Sequence, residues 1–453
     1  MNTQKLTCFT LGSPSGEGAS LRIAFEGVTV ETAKAGRGSG LGGFSFCPRK
    51  LYLVERSSRS YTRAHQEIAM TGIPGFRRVL LIILALAGIA AFAPAASAKS
   101  VQEGAQSGKA GRELYMAACS SCHGVNGRGE AQSQVGFELP LPDFTDCNFA
   151  SREPDADWNA ITHDGGPARG FSRIMPAYGD ALTAGQMDLI MAHIRTYCGN
   201  DDWPAGELNL PRLLVTEKAY PEDEAVYSLG MNAEGQGLVS NKIVYEKRFG
   251  ARNQYELIVP FGWREQESPG SGQAGNWLGG LGDIAIGAKR AFFHSSRTGS
   301  IFSAAGEIVL PTGDREKGLG KGTTVFEPFV SFGQILPSEF FFQSQAGLEL
   351  PTDTDRAVRE GFWRFSLGRS FTQGRFGRSW APMFELLGAR ELVEAEPVQW
   401  DIVPQFQVTL NRRQHIMASF GVRLPLTDSG TRDTQLLFYL LWDWFDGGFF
   451  SGW

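Results

Sequence analysis

The sequence predicts a two-part protein: a small all-α domain, then an all-β up-and-down barrel of about ten to twelve strands built to cross a membrane. Three observations predict it. Apolar residues recur at helical spacing up to about residue 200 and at period two beyond about residue 225. A proline-containing connector separates the two regimes. A single C-x-x-C-H motif, Cys119-Ser120-Ser121-Cys122-His123, lies in the first regime only.

Residues 1–69 carry no periodic apolar pattern and are rich in Gly, Ser and Arg. They are expected to be an upstream extension that is not part of the native chain, or a disordered tail. Residues 70–98 have the order of an export signal. Met70 opens a segment with Arg77-Arg78, the apolar run Val79–Leu86 follows, and Ala96-Ser97-Ala98 supplies small residues for cleavage before Lys99. The rival is an uncleaved anchor, since Val79–Ala98 is nearly long enough to span a bilayer.

The helical domain is expected over residues 99–200. Two thiols three residues apart can each form a thioether to a porphyrin vinyl group, and the adjacent His123 is then placed to ligate iron. A soft ligand on the opposite side is offered by Met175, in Ile174-Met175-Pro176-Ala177-Tyr178, 52 residues downstream (175 − 123). His163 and His193 are the alternatives for a bis-histidine site. Helical flanks enclose the motif. Gly111–Met116 precedes it, and Thr183 is a good N-cap for a closing helix in which Met187, Ile190, Met191 and Ile194 form one face.

On these motifs, G-x-x-L-Y, C-x-x-C-H-G, M-P-x-Y and L-T with a closing helix, the stretch Gly111–Cys198 resembles a class I c-type cytochrome. The resemblance implies one covalently attached haem c held by Cys119 and Cys122, with His123 and Met175 as axial ligands. It also implies that a proline carbonyl, from Pro140 or Pro142, accepts a hydrogen bond from the proximal imidazole and sets its tautomer.

Cysteine usage fits an oxidising compartment. With Cys8 and Cys47 set aside and two thiols on haem, Cys147 and Cys198 remain as an even pair, expected as a disulfide, with two buried free thiols as the alternative.

Residues 201–224 are expected to be a linker and 225–453 the barrel. Trp400, Ile402, Pro404, Phe406, Val408 and Leu410 alternate with Asp401, Gln405, Gln407 and Thr409. Ile416, Ala418, Phe420, Val422 and Leu424 alternate with His415, Ser419 and Arg423. Trp363, Phe365 and Leu367 alternate with Arg364 and Ser366, while Gln343, Gln345 and Glu349 share one polar face. Runs of about ten residues suit a tilted membrane strand. Prolines at 260, 311, 351 and 425 are expected to mark strand ends on one side, because proline cannot donate to a ladder.

A soluble sandwich would show the same alternation. Aromatics expected near strand ends (Trp263, Trp277, Trp400, Trp442, Trp444) and the aromatic terminus Phe449–Trp453 favour the membrane barrel. Gly282–Lys289 and Leu310-Pro311-Thr312-Gly313-Asp314 resemble outer-membrane transporter-type barrels of aromatic-degradation pathways. Fused cytochrome–porin iron oxidases share the haem-then-barrel order but use a much shorter haem segment and a larger barrel. A barrel of this size has a narrow or plugged lumen, so the helical domain is expected to hang outside it, in the periplasm.

The expected function is electron transfer: a mono-haem c-type cytochrome tethered to an outer-membrane barrel, relaying single electrons between periplasmic redox proteins. The alternatives are a porin or transporter with a haem sensor or docking domain, and an extracellular electron conduit for metal oxidation. A net charge of −5 offers no basis for nucleic-acid binding. The sequence shows no Ser/His/Asp set, metal-ligand cluster or phosphate loop, so an enzyme has no supporting constellation. His294 and His415 read as isolated lumen or rim residues.

Overall fold

The computed structural model describes residues 24–25, 28–29, 99–266 and 275–444. The export signal expected over residues 70–98, Cys8, Cys47 and the terminus Phe449–Trp453 lie outside the described residues. Residues 24–25 pair antiparallel with residues 28–29.

The helical domain contains α1 (Lys99–Ala118), α2 (Ser120–His123), α3 (Gln132–Val135), α4 (Cys147–Ala150), α5 (Asp155–Asp164) and α6 (Ala184–Arg195). Thr183 caps α6 in a full capping box with Gln186, which satisfies backbone donors that the helix start leaves open. The face made by Met187, Ile190, Met191 and Ile194 is buried, the last three against Tyr115, Phe144 and Trp158. Helices α1 and α6 cross at Gly111, where any Cβ would fall 2.2 Å from the Leu189 carbonyl oxygen. Only glycine allows backbones that close.

The barrel strands are β1 (Glu224–Asn232), β2 (Leu238–Phe249), β3 (Asn253–Glu265), β4 (Ala285–Ser295), β5 (Ser300–Val309), β6 (Val325–Ile335), β7 (Phe340–Pro351), β8 (Glu360–Arg369), β9 (Ser379–Glu391), β10 (Gln399–Thr409), β11 (Ile416–Pro425) and β12 (Gln435–Asp443). Each pairs antiparallel with its neighbours in sequence, and β12 pairs with β1, from Gln435 opposite Asn232 to Asp443 opposite Glu224. The sheet therefore closes with no open edge. Short strips at Trp277–Leu281 and Phe371–Thr372 extend β3 and β9.

The faces follow the predicted alternation. In β10, Asp401, Val403, Gln405, Gln407 and Thr409 are buried in the lumen, whereas Pro404 and Phe406 are exposed outward. Ile243, Tyr245, Ile286, Phe384 and Phe420 face outward likewise, forming an apolar exterior over a polar interior, as a membrane barrel requires. The proline expectation holds at three of its four positions. Pro311 follows β5, and Pro351 and Pro425 close β7 and β11, all toward the same end. Pro260 instead lies inside β3, where that strand's partner changes from β4 (Ile258 opposite Ala285) to the Trp277–Leu281 strip (Phe261 opposite Leu281).

Residues 204–223, expected as part of a linker, enter the barrel and turn back inside it, so that Tyr220 donates to the Pro204 carbonyl at 3.2 Å near the entry while Thr216 and Glu217 reach Glu385 and Gln345 in mid-strand. Leu210 and Leu213 pack on Phe341, Ala381 and Met383, and Leu208, Ala219 and Tyr220 pack on Ala291 and Ile301. The wall hydrogen-bonds the segment's backbone. The N–H groups of Leu214, Thr216 and Glu222 donate to Gln405 (3.0 Å), Glu385 (2.7 Å) and Gln254 (2.6 Å), and Gln343 donates to the Pro211 carbonyl at 2.8 Å. Arg212 sits among Glu224, Glu246 (2.7 Å) and Glu217 (3.5 Å), and Lys218 pairs with Glu222. An inward face of Gln, Glu and Arg is thus a set of partners for an extended plug, since buried backbone groups need them. The linker reading missed this because proline-containing extended chain looks the same outside a barrel or inside one.

The helical domain does not hang free. It sits on the barrel end carrying the tight turns 250–252, 296–299, 336–339 and 410–415, opposite the longer connections 310–324 and 352–359. Arg152 pairs with Asp223 at the start of the barrel, Arg169 donates to the Phe376 carbonyl at 2.7 Å, and Arg252 meets Asp202 at 2.8 Å.

Candidate haem site

One helical turn presents the motif. The His123 N–H donates to the Cys119 carbonyl at 2.9 Å, and Gly124 N–H to Ser120, so Cys119, Cys122 and His123 face one cavity. The buried Tyr115 hydroxyl donates to the Gly124 carbonyl at 2.7 Å and ties the turn to α1. His123 stacks on Phe144 with ring centroids 5.1 Å apart. Burial pulls its imidazole down to about 4, so the ring is neutral with a lone pair to give, as an iron ligand requires. Burial, and then the neighbouring Cys122, push the Cys119 thiol up to about 11.

Met175 lies on the same cavity, on a loop that folds back on itself. Gly166 N–H donates to the Met175 carbonyl at 3.0 Å, and a Cβ on Gly166 would fall 2.1 Å from the Ser172 carbonyl oxygen. The alternative ligands are elsewhere. His163 faces the barrel, with Nε2 2.5 Å from Arg375, and His193 packs between Tyr115 and Tyr197. Neither lines the cavity. Pro140 and Pro142 do line it, yet His123 Nδ1 is buried with no hydrogen-bond partner among the described residues, so neither expected proline contact is made.

The cavity measures about 870 Å³. Its walls are chiefly apolar, from Phe144, Trp158, Ile190, Met191 and Ile194. Two thiols, an imidazole and a thioether opening into one large apolar space fit a covalently bound, six-coordinate haem by the chemistry of the donors. Cys147 and Cys198, 51 residues apart, form a disulfide that ties α4 to the end of α6.

Residues 108–197 match the family described as cytochrome c. This segment is a cytochrome c domain. Such a domain implies covalently bound haem c. Residues 226–380 match the family described as "Putative MetA-pathway of phenol degradation". No curated protein matches the chain. Among solved structures, an outer membrane channel from Pseudomonas putida F1 is similar at 12% identity, covering 51% of this chain and 98% of its own, with a TM-score of 0.38. The KdgM porin is similar at 9% identity over 49% of this chain and 98% of its own, TM-score 0.32. The NanC porin is similar at 7% identity over 48% and 98%, TM-score 0.34. Values this low carry no argument, and the closed barrel rests on its own strand pairing.

The cytochrome c domain does not build the cavity alone. Lys247 of β2, Arg413 and His415 of the β10–β11 turn, and Trp444 beyond β12 complete the wall. Trp444, expected among membrane-interface aromatics, is buried and stacks on Tyr245 at 5.8 Å. His415, read as isolated, is buried between two carboxylates, Glu153 at 2.9 Å and Asp443 at 3.5 Å. Nothing in the spacing of these residues marks them, because they join the site only through docking. Glu217, Glu246 and Glu256 bring carboxylate oxygens within 4.8 Å of one another in the lumen. Arg212 pairs with Glu217 and Glu246, which makes those two part of the plug's ion network.

Proposed function

We propose that the protein is an electron carrier, a mono-haem cytochrome seated on an outer-membrane barrel and relaying single electrons in the periplasm. The observation that carries this reading is that His123 and Met175 line the cavity into which Cys119 and Cys122 open. With His123 and Met175 both ligating a bound iron, no iron site would be left for substrate. The haem, when bound, supplies reversible one-electron chemistry. The chain's part is to hold an imidazole neutral, present a soft sulfur, exclude water with Phe144, Trp158 and Ile190, and clamp the pocket with the disulfide.

Leu139 and Ile174 stand exposed on the cavity's margin and offer an apolar contact for a redox protein. The periplasmic assignment is supported by the tight turns at the docked end, since bacterial barrels keep short turns on that side and longer loops outside. The plug weighs against a porin, and one haem at one end of an apolar band about 25 Å tall does not carry electrons across it.

The test is a visible-spectrum redox titration of the purified full chain, with a gel stained for covalent haem. A low-spin spectrum with a Met-to-iron band is expected, and Met175→Ala removes that band and lowers the potential while the haem stays attached. A high-spin wild type without the band would sink the assignment.

A further inference from the structure

We propose that the barrel is part of the haem site: its rim, through Lys247 and Arg413, receives the porphyrin's carboxylates, so that the pocket is complete only in the docked protein. This rests on the haem reading above. A porphyrin bonded through its vinyl edge to Cys119 and Cys122 presents its two carboxylates from the opposite edge, and these must meet positive charge or water.

The two halves of the cavity wall differ in charge. The cytochrome domain contributes Asp143, Asp146, Glu153 and Asp157 against Arg152 and Arg169, so its own share suits an anion poorly. The barrel contributes Lys247, Arg413, His415 and Trp444 to the lining, and the carboxylates paired with them, Asp223 on Lys247 and Asp443 on His415, stand off the cavity wall. Arg152 joins the cationic side, because Asp223 is shared between it and Lys247, whose Nζ lies 2.8 Å away. Arg413 reaches across the junction, its guanidinium 4.5 Å over the Phe171 ring of the cytochrome domain. The buried Trp444 and His415 line the same stretch of wall and keep the local dielectric low, which strengthens a charge pair formed there.

The proposal is tested on the full chain, purified with its haem, by potentiometric titration and resonance Raman of the haem carboxylate bending bands. Arg413→Gln with Lys247→Gln is expected to retain covalent haem, to lower the potential because lost positive charge favours the oxidised state, and to shift the bands. Arg412→Gln, on the same turn but exposed and off the cavity wall, is the control and changes neither. Arg413→Lys, the milder variant, keeps the charge and most of the potential yet shifts the bands, since lysine lacks the two-pronged donor. Wild-type potential and bands in haem-loaded Arg413→Gln/Lys247→Gln, or unmoved bands in Arg413→Lys should the double variant not assemble, overturn the inference. A wild type that carries no haem at all overturns instead the function it rests on.

Discussion

His415 Nε2, on a barrel turn, lies 2.9 Å from Glu153 Oε1 of the cytochrome domain, and both side chains are buried. A tethered domain has no need of such a pair. Burying a carboxylate and an imidazole at a junction is tolerable only if each meets the other, which makes the pair a reporter of docking.

Glu153→Leu, which takes from His415 one of its two carboxylates and leaves it Asp443, is expected to loosen the docked state by about 1–3 kcal/mol. Hydrogen exchange checks it. Amides near residues 152–158 and 411–416 should exchange faster while those of α6 do not. Unchanged protection would show that the contact contributes nothing.

Removing the disulfide by Cys147→Ser with Cys198→Ser opens a closed loop of 51 residues of sequence separation. In the chain-entropy account that lowers the stability of the cytochrome domain by about 4 kcal/mol. Urea titration followed by the domain's far-ultraviolet helical signal reads the change, and the strand signal of the barrel should not move.

Acid should weaken the α1–α6 crossing through His193. Burial, with Arg112 adding to it, holds this imidazole's pKa below its ordinary value, so the folded state favours the neutral ring. The unfolded chain then binds more protons below the ordinary histidine pKa. Stability at this site is full above that value and falls as pH drops through it toward the folded value. His193→Phe, which retains the ring packing on Tyr115 and Tyr197, should flatten the dependence of melting temperature on pH between about 7 and 5. An equal slope in wild type and variant would assign the effect elsewhere.

Arg212 holds the plug. Its guanidinium is buried among Glu217, Glu224 and Glu246, so Arg212→Ala leaves like charges facing one another and costs on the order of 3–5 kcal/mol. Wild type in planar bilayers should show no steady conductance, and the variant should show openings. A conducting wild type would mean that the segment does not seal the lumen.

Sequence alone determined much of this protein, for local physical reasons. The cytochrome motif is legible because thioether bonding and axial ligation demand particular residues at close spacing, and Thr183 and the Met187–Ile194 face obey helix rules that act within a few turns. Period-two alternation likewise shows which barrel residues face inward, because a strand's two faces are set by its own pleat. The tertiary structure decided what lies far apart along the chain. Closure of β12 on β1, the plug's place among Gln405, Glu385 and Gln254, and the union of His415, Arg413 and Trp444 with the haem cavity all join residues tens to hundreds of positions apart. No periodicity encodes such pairings. They follow from complementarity between a lumen rich in amides and charges and a backbone needing partners, and from a domain whose buried charges are satisfied only against the barrel's rim.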